Sequence, residues 1–298
     1  MSVRSYFAPQ SRGLLQIAGD DRRTFLQALV SNDVMIVDGG RAVYASLLTA
    51  QGRFLHEFFI AELDDKFYLD AESARIDDLK RRLSLYRLRS KVTLTAPIET
   101  HRIVILFGEH TLRSLDLPEE TGCARAFAGG VVYVDPRLSA LGARAILPSD
   151  RLSALAHAGF VPGDSGAYEE LRLALGVPDG SRDLPIEKAL LLENGFEELH
   201  GVDWKKGCYV GQELTARMKY RALIRKRLMP VRVDGNLPPP GTPVMLGDQE
   251  AGEMRSGYGQ LGLALLRLDI VEQAEREARH LIADGASLTP IRPAWAGF

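Results

Sequence analysis

From Leu228 the chain reads LMPVRVDGNLPPPGTPVMLGDQEAGEMRSGYGQLGLALLRL. Its apolar runs are short and are separated by Gly, Pro, Asp and Asn. Such a stretch resists a long helix, because Pro removes a backbone donor and interior Gly costs about 1 kcal/mol. What remains is short strands joined by turns, the pattern of a small antiparallel barrel. Pro238-Pro239-Pro240-Gly241 cannot lie inside a central strand and marks a connection. The change of texture places a boundary near residues 222–228, dividing the chain into 1–225 and a C-terminal barrel, 226–298.

The first 225 residues have a different rhythm. Asp20 or Asp21 can cap a helix whose apolar stripe is Phe25, Leu26, Leu29 and Val30. Strands are expected at Val34–Val37, Ala42–Leu48, Phe54–Ala61 and Phe67–Leu69, with turns at Gly39-Gly40, Gln51-Gly52 and Asp64-Asp65. A basic amphipathic helix over Ser73–Tyr86 and a strand over Lys91–Thr95 complete one unit, closed by Pro97. A similar order follows: strand Arg102–Gly108, a short helix at Glu109–Leu115, strands at Ala124–Ala128, Val131–Val134 and Arg144–Leu147, and a helix over Asp150–Gly159. This predicts α+β layers in two units, about 1–97 and 98–225, which can intertwine. A helix over 167–176 stops at Gly176, and the tail from Glu272 to Arg279 reads as a charged helix.

With 298 residues, 26% of them charged, and a formal net charge of -2, nothing pulls the whole molecule toward nucleic acid or a membrane surface. Attraction to anions must be local. The N-terminal MSVRSYFAPQSRG lacks the apolar run of a signal peptide, and the two cysteines, Cys123 and Cys208, form no framework. The expectation is a cytoplasmic protein with reduced thiols and no membrane partner.

The local attraction lies in KKGCYVGQELTARMKYR, Lys205 to Arg221. Between Lys205 and Arg227 there are eight cations and one acid, Glu213. Cys208 lies between Gly207 and the helix-like GQELTARMKY. Cations and a helix N-terminus both favour thiolate over thiol, which makes Cys208 a candidate nucleophile or metal ligand. The competing reading is a small buried residue beside a solvated basic face. Cys123, in TGCARAF, takes that plainer reading. There is no CxxC, HExxH, GxSxG or GxxxxGK[ST], and the six histidines show no ligand spacing. His56 reads as structural, whereas His200 could assist Cys208 as a ligand. One thiolate cannot hold an iron–sulfur cluster alone, so further ligands would come from outside the chain.

KGCYVGQE, Lys206 to Glu213, resembles the signature of the YgfZ-type folate-binding family, which assists iron–sulfur cluster maturation. ELTARMKYRALIRKRL resembles its mitochondrial-type branch. FLQALVSNDV at 25–34, LLTAQGRFLHEFFI at 47–60, LYRLRSKVTL at 85–94, LRLALGVPDGSRDL at 171–184 and GLALLRLD at 262–269 are similar to other blocks of the family, in the same order. The resemblance implies the fold of the glycine-cleavage aminomethyltransferase, or T-protein: two ferredoxin-like α+β units and a C-terminal barrel around a central cavity. It implies tetrahydrofolate as cofactor and Cys208 as the key residue, a ligand to a transient iron–sulfur cluster shared with a partner. The partners implied are an A-type iron–sulfur carrier protein or client enzymes. Around Cys208, the residues expected to bind the cofactor are Lys206, Gly207, Tyr209, Gly211, Gln212, Glu213 and Arg217, with Glu57 from the earlier block.

Two departures bear on chemistry. Where the T-protein has an Asp-Asp pair, this chain has His56 and Glu57; where that enzyme has a pterin-holding glutamate in LRLEAG, it has Ala174. A pterin needs a carboxylate to receive its N–H groups, since buried donors left unmatched are costly. Aminomethyl transfer is therefore the second reading, and turnover is left open. The third is a binding protein that uses the basic segment on RNA or protein; with only Tyr209 and Tyr220 interleaved, nucleic acid is disfavoured.

Overall fold

The computed structural model describes residues 4–222 and 224–298. The first three residues of the N-terminal stretch, and Leu223 at the expected boundary, lie outside the described residues. The chain forms two compact units, one of residues up to 48, 55–165 and 200–210, the other of 49–54, 166–199 and 211–298. Residues 166–199 and 211–222 fall in the same compact unit as the barrel strands.

In the first unit the elements are β1 (Ser5–Phe7), β2 (Arg12–Ala18), α1 (Arg22–Gln27), β3 (Val43–Leu48), β4 (Phe54–Leu63, entering from the other unit by its first residue), β5 (Lys66–Glu72), α2 (Ile76–Leu85), β6 (Thr93–Thr95), β7 (His101–Phe107), α3 (Thr111–Ser114), β8 (Ala124–Phe127), β9 (Gly130–Val134), β10 (Ala143–Pro148), α4 (Ser153–His157) and β11 (Val161–Pro162). One sheet has the order β3-β4-β5-β2-β6, the other β11-β1-β7-β10-β9-β8. The N-terminal strand β1 thus joins the second sheet, antiparallel to β7 and parallel to β11. Each sheet has an apolar core of its own. Leu15, Ile17, Phe58, Ile60, Phe67 and Leu69 bury one face of the first sheet with Phe25 and Leu26 of α1 and Leu79 and Leu83 of α2. Val104, Leu106, Val132, Val134 and Ala145 do the same in the second, with Leu155 of α4.

The alternate positions carry charge. In a strand, successive side chains point to opposite faces. Arg12, Glu57, Phe59 and Asp70 therefore share the other face of the first sheet, and Arg144 the corresponding face of the second. There they meet. Arg144 Nη2 donates to Asp70 Oδ2 at 2.5 Å, Arg12 Nε donates to Asp70 Oδ1 at 2.7 Å, and Arg12 also pairs with Glu57. Arg137 Nη2 donates to Asp135 Oδ2 at 2.8 Å. The guanidiniums of Arg144, Arg137 and Arg12 lie 4.0, 4.8 and 5.4 Å from the centre of the Phe59 ring.

His56 and Glu57 are consequently on opposite faces. His56 is buried beside α2, its Nε2 2.9 Å from Asp78 Oδ2. Burial, aided by Arg75, lowers its pKa from 6.5 to about 4, although Asp78 works the other way. The folded state thus resists a proton that the unfolded chain accepts. The stability this gives is present above about pH 6.5 and is lost as pH falls toward 4. Between pH 7 and pH 5 the loss is about 2 kcal/mol. Urea unfolding of His56→Gln at both values should show a pH dependence smaller by that amount. Equal slopes for variant and wild type would rule out the assignment.

Val34–Val37 is not a strand. Gln27 Oε1 accepts from Val34 N at 2.8 Å, Asp33 Oδ1 accepts from Met35 N at 3.0 Å, and Val37 N turns back to Val34 O at 3.2 Å. Local side-chain acceptors have replaced a sheet partner. Val34 and Val37 of this apolar run anchor the turn in the core.

The second unit contains α5 (Ser165–Ala174, its first residue lying in the first unit), α6 (Gly180–Asp183), α7 (Gln212–Tyr220), β12 (Lys226–Asp234), β13 (Pro243–Leu246), β14 (Gln249–Tyr258), β15 (Leu261–Arg267), α8 (Leu268–Arg276), β16 (Leu281–Ala283) and β17 (Ala286–Pro290). The six strands close a barrel in the order β12-β15-β14-β13-β16-β17. Pro238–Gly241 lies in the connection between β12 and β13. Ile270, Val271 and Ala274 of α8 join the barrel core. Among the described residues no helix is long and apolar enough to cross a membrane.

Candidate functional site

Cys208 belongs to a loop, residues 200–210, laid against the end of α1 and the turn that follows it. Ser31 Oγ donates to Gly201 O at 2.6 Å, and Asn32 Nδ2 donates to His200 O at 2.7 Å. Asp203 N donates to Ser31 O at 3.0 Å, and Val210 N to Ala28 O at 3.2 Å. Asp203 Oδ1 receives the backbone N–H of both Lys205 and Lys206, at 2.6 and 2.7 Å. This is an aspartate-stabilised turn of the kind that competes with regular structure.

Lys206 fixes the loop from the other side. Its ammonium donates to Gln27 O at 2.6 Å and Val30 O at 2.5 Å, carbonyls at and just beyond the C-terminal end of α1. It also lies 5.0 Å from the centre of the Tyr209 ring. Burial lowers its pKa to about 8, against the attraction of Asp33 and Asp203. Lys206 thus serves the backbone that carries Cys208. The sequence suggested a diffuse basic field; the structure shows a specific clamp.

Between these anchors the chain is exposed. Gly207 has φ +92 with open space around it, so backbone conformation is what calls for glycine there. Cys208 is exposed, while Tyr209 is buried and Val210 packs on the core. The plainer reading of Cys208 as a buried space-filler is excluded. The expectation that it directly precedes a helix is corrected: α7 begins at Gln212, after a left-handed Gly211. Gly211, Gln212, Glu213 and Arg217 belong to the second unit, with Glu213 and Arg217 exposed. The motif therefore does not assemble all its predicted cofactor contacts within one unit.

Beside the loop is a cavity of about 360 Å³, lined by Asn32, Ile36, Arg41, Tyr44, His200 and Asp203 among others. Burial, and secondarily Arg41, lowers the pKa of His200. Cys123 is half-buried, and burial raises its thiol pKa, with Glu120 adding to the effect. Among the described residues no group of three or more His, Cys, Asp or Glu side chains is placed to hold a metal ion.

Glu57 is only 2% exposed and its carboxylate is ion-paired with Arg12. A pterin using it would have to compete with a buried guanidinium. Ala174, exposed on α5, supplies no carboxylate in its place. These residues do not fit the pterin contacts that the T-protein comparison suggested. The network around Glu57 was missed from sequence; the signal available was charge at inward strand positions, as in FYLDAE and GARAIL.

Residues 225–298 match the family model described as the CAF17 C-terminal beta-barrel domain. The whole described fold is similar to the glycine cleavage system aminomethyltransferase T of Bartonella henselae, with a TM-score of 0.76 over 99% of this chain and 87% of that one. At 14% identity that likeness establishes the fold alone. Over 282 residues the chain is 36% identical to the human mitochondrial iron–sulfur cluster assembly factor IBA57, covering 87% of this chain and 76% of the relative. The chain belongs to the IBA57 family. The Mus musculus IBA57 is 34% identical over 287 residues, covering 89% of this chain and 78% of its own. These IBA57 proteins are named as mitochondrial, and that overturns the expectation of a cytoplasmic location. The sign used for that expectation, an N-terminus without a secretory signal, does not discriminate between these compartments.

Proposed function

We propose that the chain is an accessory factor in iron–sulfur cluster assembly, which lends the Cys208 thiolate to a cluster whose other ligands come from a partner protein. The observation that carries this reading is an exposed cysteine on a loop fastened from both sides. Iron–sulfur clusters are generally held by four protein ligands, so an isolated thiolate requires a second donor set. The names of the relatives support the assembly role. The cluster here is cargo passing between proteins. The chain's own residues hold the loop, present the thiol to solvent and leave the remaining iron positions to the partner.

The partner is an A-type carrier or a client enzyme with its own cysteine ligands. Tetrahydrofolate has the likeness of fold on its side and the arrangement of Glu57 and Ala174 against it, so no step is assigned to it. The same two residues weigh against aminomethyl transfer.

The test is anaerobic mixing of the chain with an A-type carrier bearing a [2Fe–2S] cluster, followed by size-exclusion chromatography and visible spectra. A joint peak with altered cluster bands is expected. Separate elution with the carrier's spectrum unchanged would remove the support for a shared cluster.

A further inference from the structure

We propose that the turn following α1, with Met35 and Ile36 at its surface, is the docking face for the protein that brings the cluster to Cys208. This rests on the reading of Cys208 as a shared ligand. Met35 is 51% exposed and Ile36 45%, although Val34 and Val37 on either side are fully buried. The turn is held firmly. Arg23 donates to Val37 O, and its other terminal nitrogen is 2.6 Å from Glu62 Oε2. Asp33 receives Met35 N, and Gln27 receives Val34 N. Two large apolar side chains are thus presented in fixed positions, at little ordering cost to a partner.

This turn and the Cys208 loop are one platform. Ser31 and Asn32 make the hydrogen bonds to Gly201, Asp203 and His200, and Asp33 attracts the Lys206 ammonium two residues before the thiol. Ile36 also lines the 360 Å³ cavity, where Asn32, Arg41, His200 and Asp203 offer polar partners to an entering side chain. A protein delivering ligands to Cys208 must approach this platform. The arrangement of exposed Met and Ile beside a small polar cavity has the apolar centre and polar margin of a protein interface. Methionine adds an adaptable, polarizable contact. The occupant is a cluster-bearing carrier with thiolate ligands and an apolar patch beside its cluster.

The test compares the full chain with Met35→Asp/Ile36→Asp in anaerobic titration against an A-type carrier bearing a [2Fe–2S] cluster. The affinity is expected to fall at least tenfold. The rate at which Cys208 reacts with Ellman's reagent should stay within twofold, as should the unfolding midpoint of the free chain. Met35→Gln/Ile36→Gln, a milder pair, serves if the aspartates impair folding, and should weaken binding in the same direction. Affinity within twofold of wild type, with the cluster still bound through Cys208, overturns the docking face and leaves the function intact. A change from dimer to monomer with carrier affinity unaltered also overturns it, because the face then serves two copies of this chain. Failure of the wild-type chain to bind the carrier removes the functional reading and this inference together.

Discussion

Cys208→Ser is expected to strip the shared cluster from the complex, lowering its visible absorbance at least tenfold, while leaving the free chain as stable as wild type. The two halves of this expectation have different causes. A thiolate is a soft ligand suited to iron–sulfur clusters; a serine hydroxyl is harder and stays protonated near neutral pH. The side chain is also exposed on a loop held by other groups, so its replacement removes no buried contact. Exposed substitutions away from caps and strained positions usually change stability by less than about 0.5 kcal/mol. Cys123→Ser is the control. It removes the chain's other thiol, whose pKa burial raises, and should leave the cluster bands in place. Cluster bands of wild-type intensity in Cys208→Ser would show that the ligand lies elsewhere. Their loss in both variants would mean that the reaction responds to thiols without using Cys208 specifically.

The features that could be read from sequence are those with local causes. Pro and Gly break the C-terminal segment wherever a strand must end, so Pro238–Gly241 falls between β12 and β13 as the barrel pattern required. Helical apolar spacing located α1 and α2, whose Phe25, Leu26, Leu79 and Leu83 point into one core. Val34–Val37 misled because two valines three positions apart can anchor a turn as well as fill a strand. β1 and β2 were not anticipated. β1 is only three residues long, and Arg12 and Gln16 interrupt the apolar pattern of β2; the pairing of both is set by distant partners such as Phe107 and Leu69. The motif revealed Cys208 as distinctive and suggested a basic environment. It could not reveal that Lys206 holds the carbonyls of Gln27 and Val30, because nothing local in the sequence brings those segments together. Nor could it show that Glu57 pairs with Arg12 in place of a ligand.

Asp70→Asn should test the scaffold as strongly as Cys208→Ser tests the site, with the opposite pattern. Asp70 is fully buried, pairs with Arg12 of its own sheet and reaches the second sheet of the first unit through Arg144. Asparagine keeps the shape but removes the charge that offsets two buried guanidiniums. Breaking a buried ion pair by removing one partner typically costs about 3–5 kcal/mol, since the remaining charge is left in a poorly solvating interior. Glu57 still pairs with Arg12, and Asp135 lies 3.9 Å from Arg144, so the lower half of that range is expected. The corresponding fall in melting temperature is roughly 6–16 °C for a unit of this size. The two tryptophans allow the effect to be localised: Trp204 is in the first unit and Trp295 in the second. Urea titrations on single-tryptophan versions should show the Trp204 transition moving to lower denaturant. Asp70→Leu combined with Arg144→Met, which removes one charge of each sign, should recover part of the loss, because a buried pair replaced as a whole often costs little. A loss below about 1 kcal/mol in Asp70→Asn would mean that water or the neighbouring acids already neutralise the arginines, and that Asp70 does not hold the sheets together.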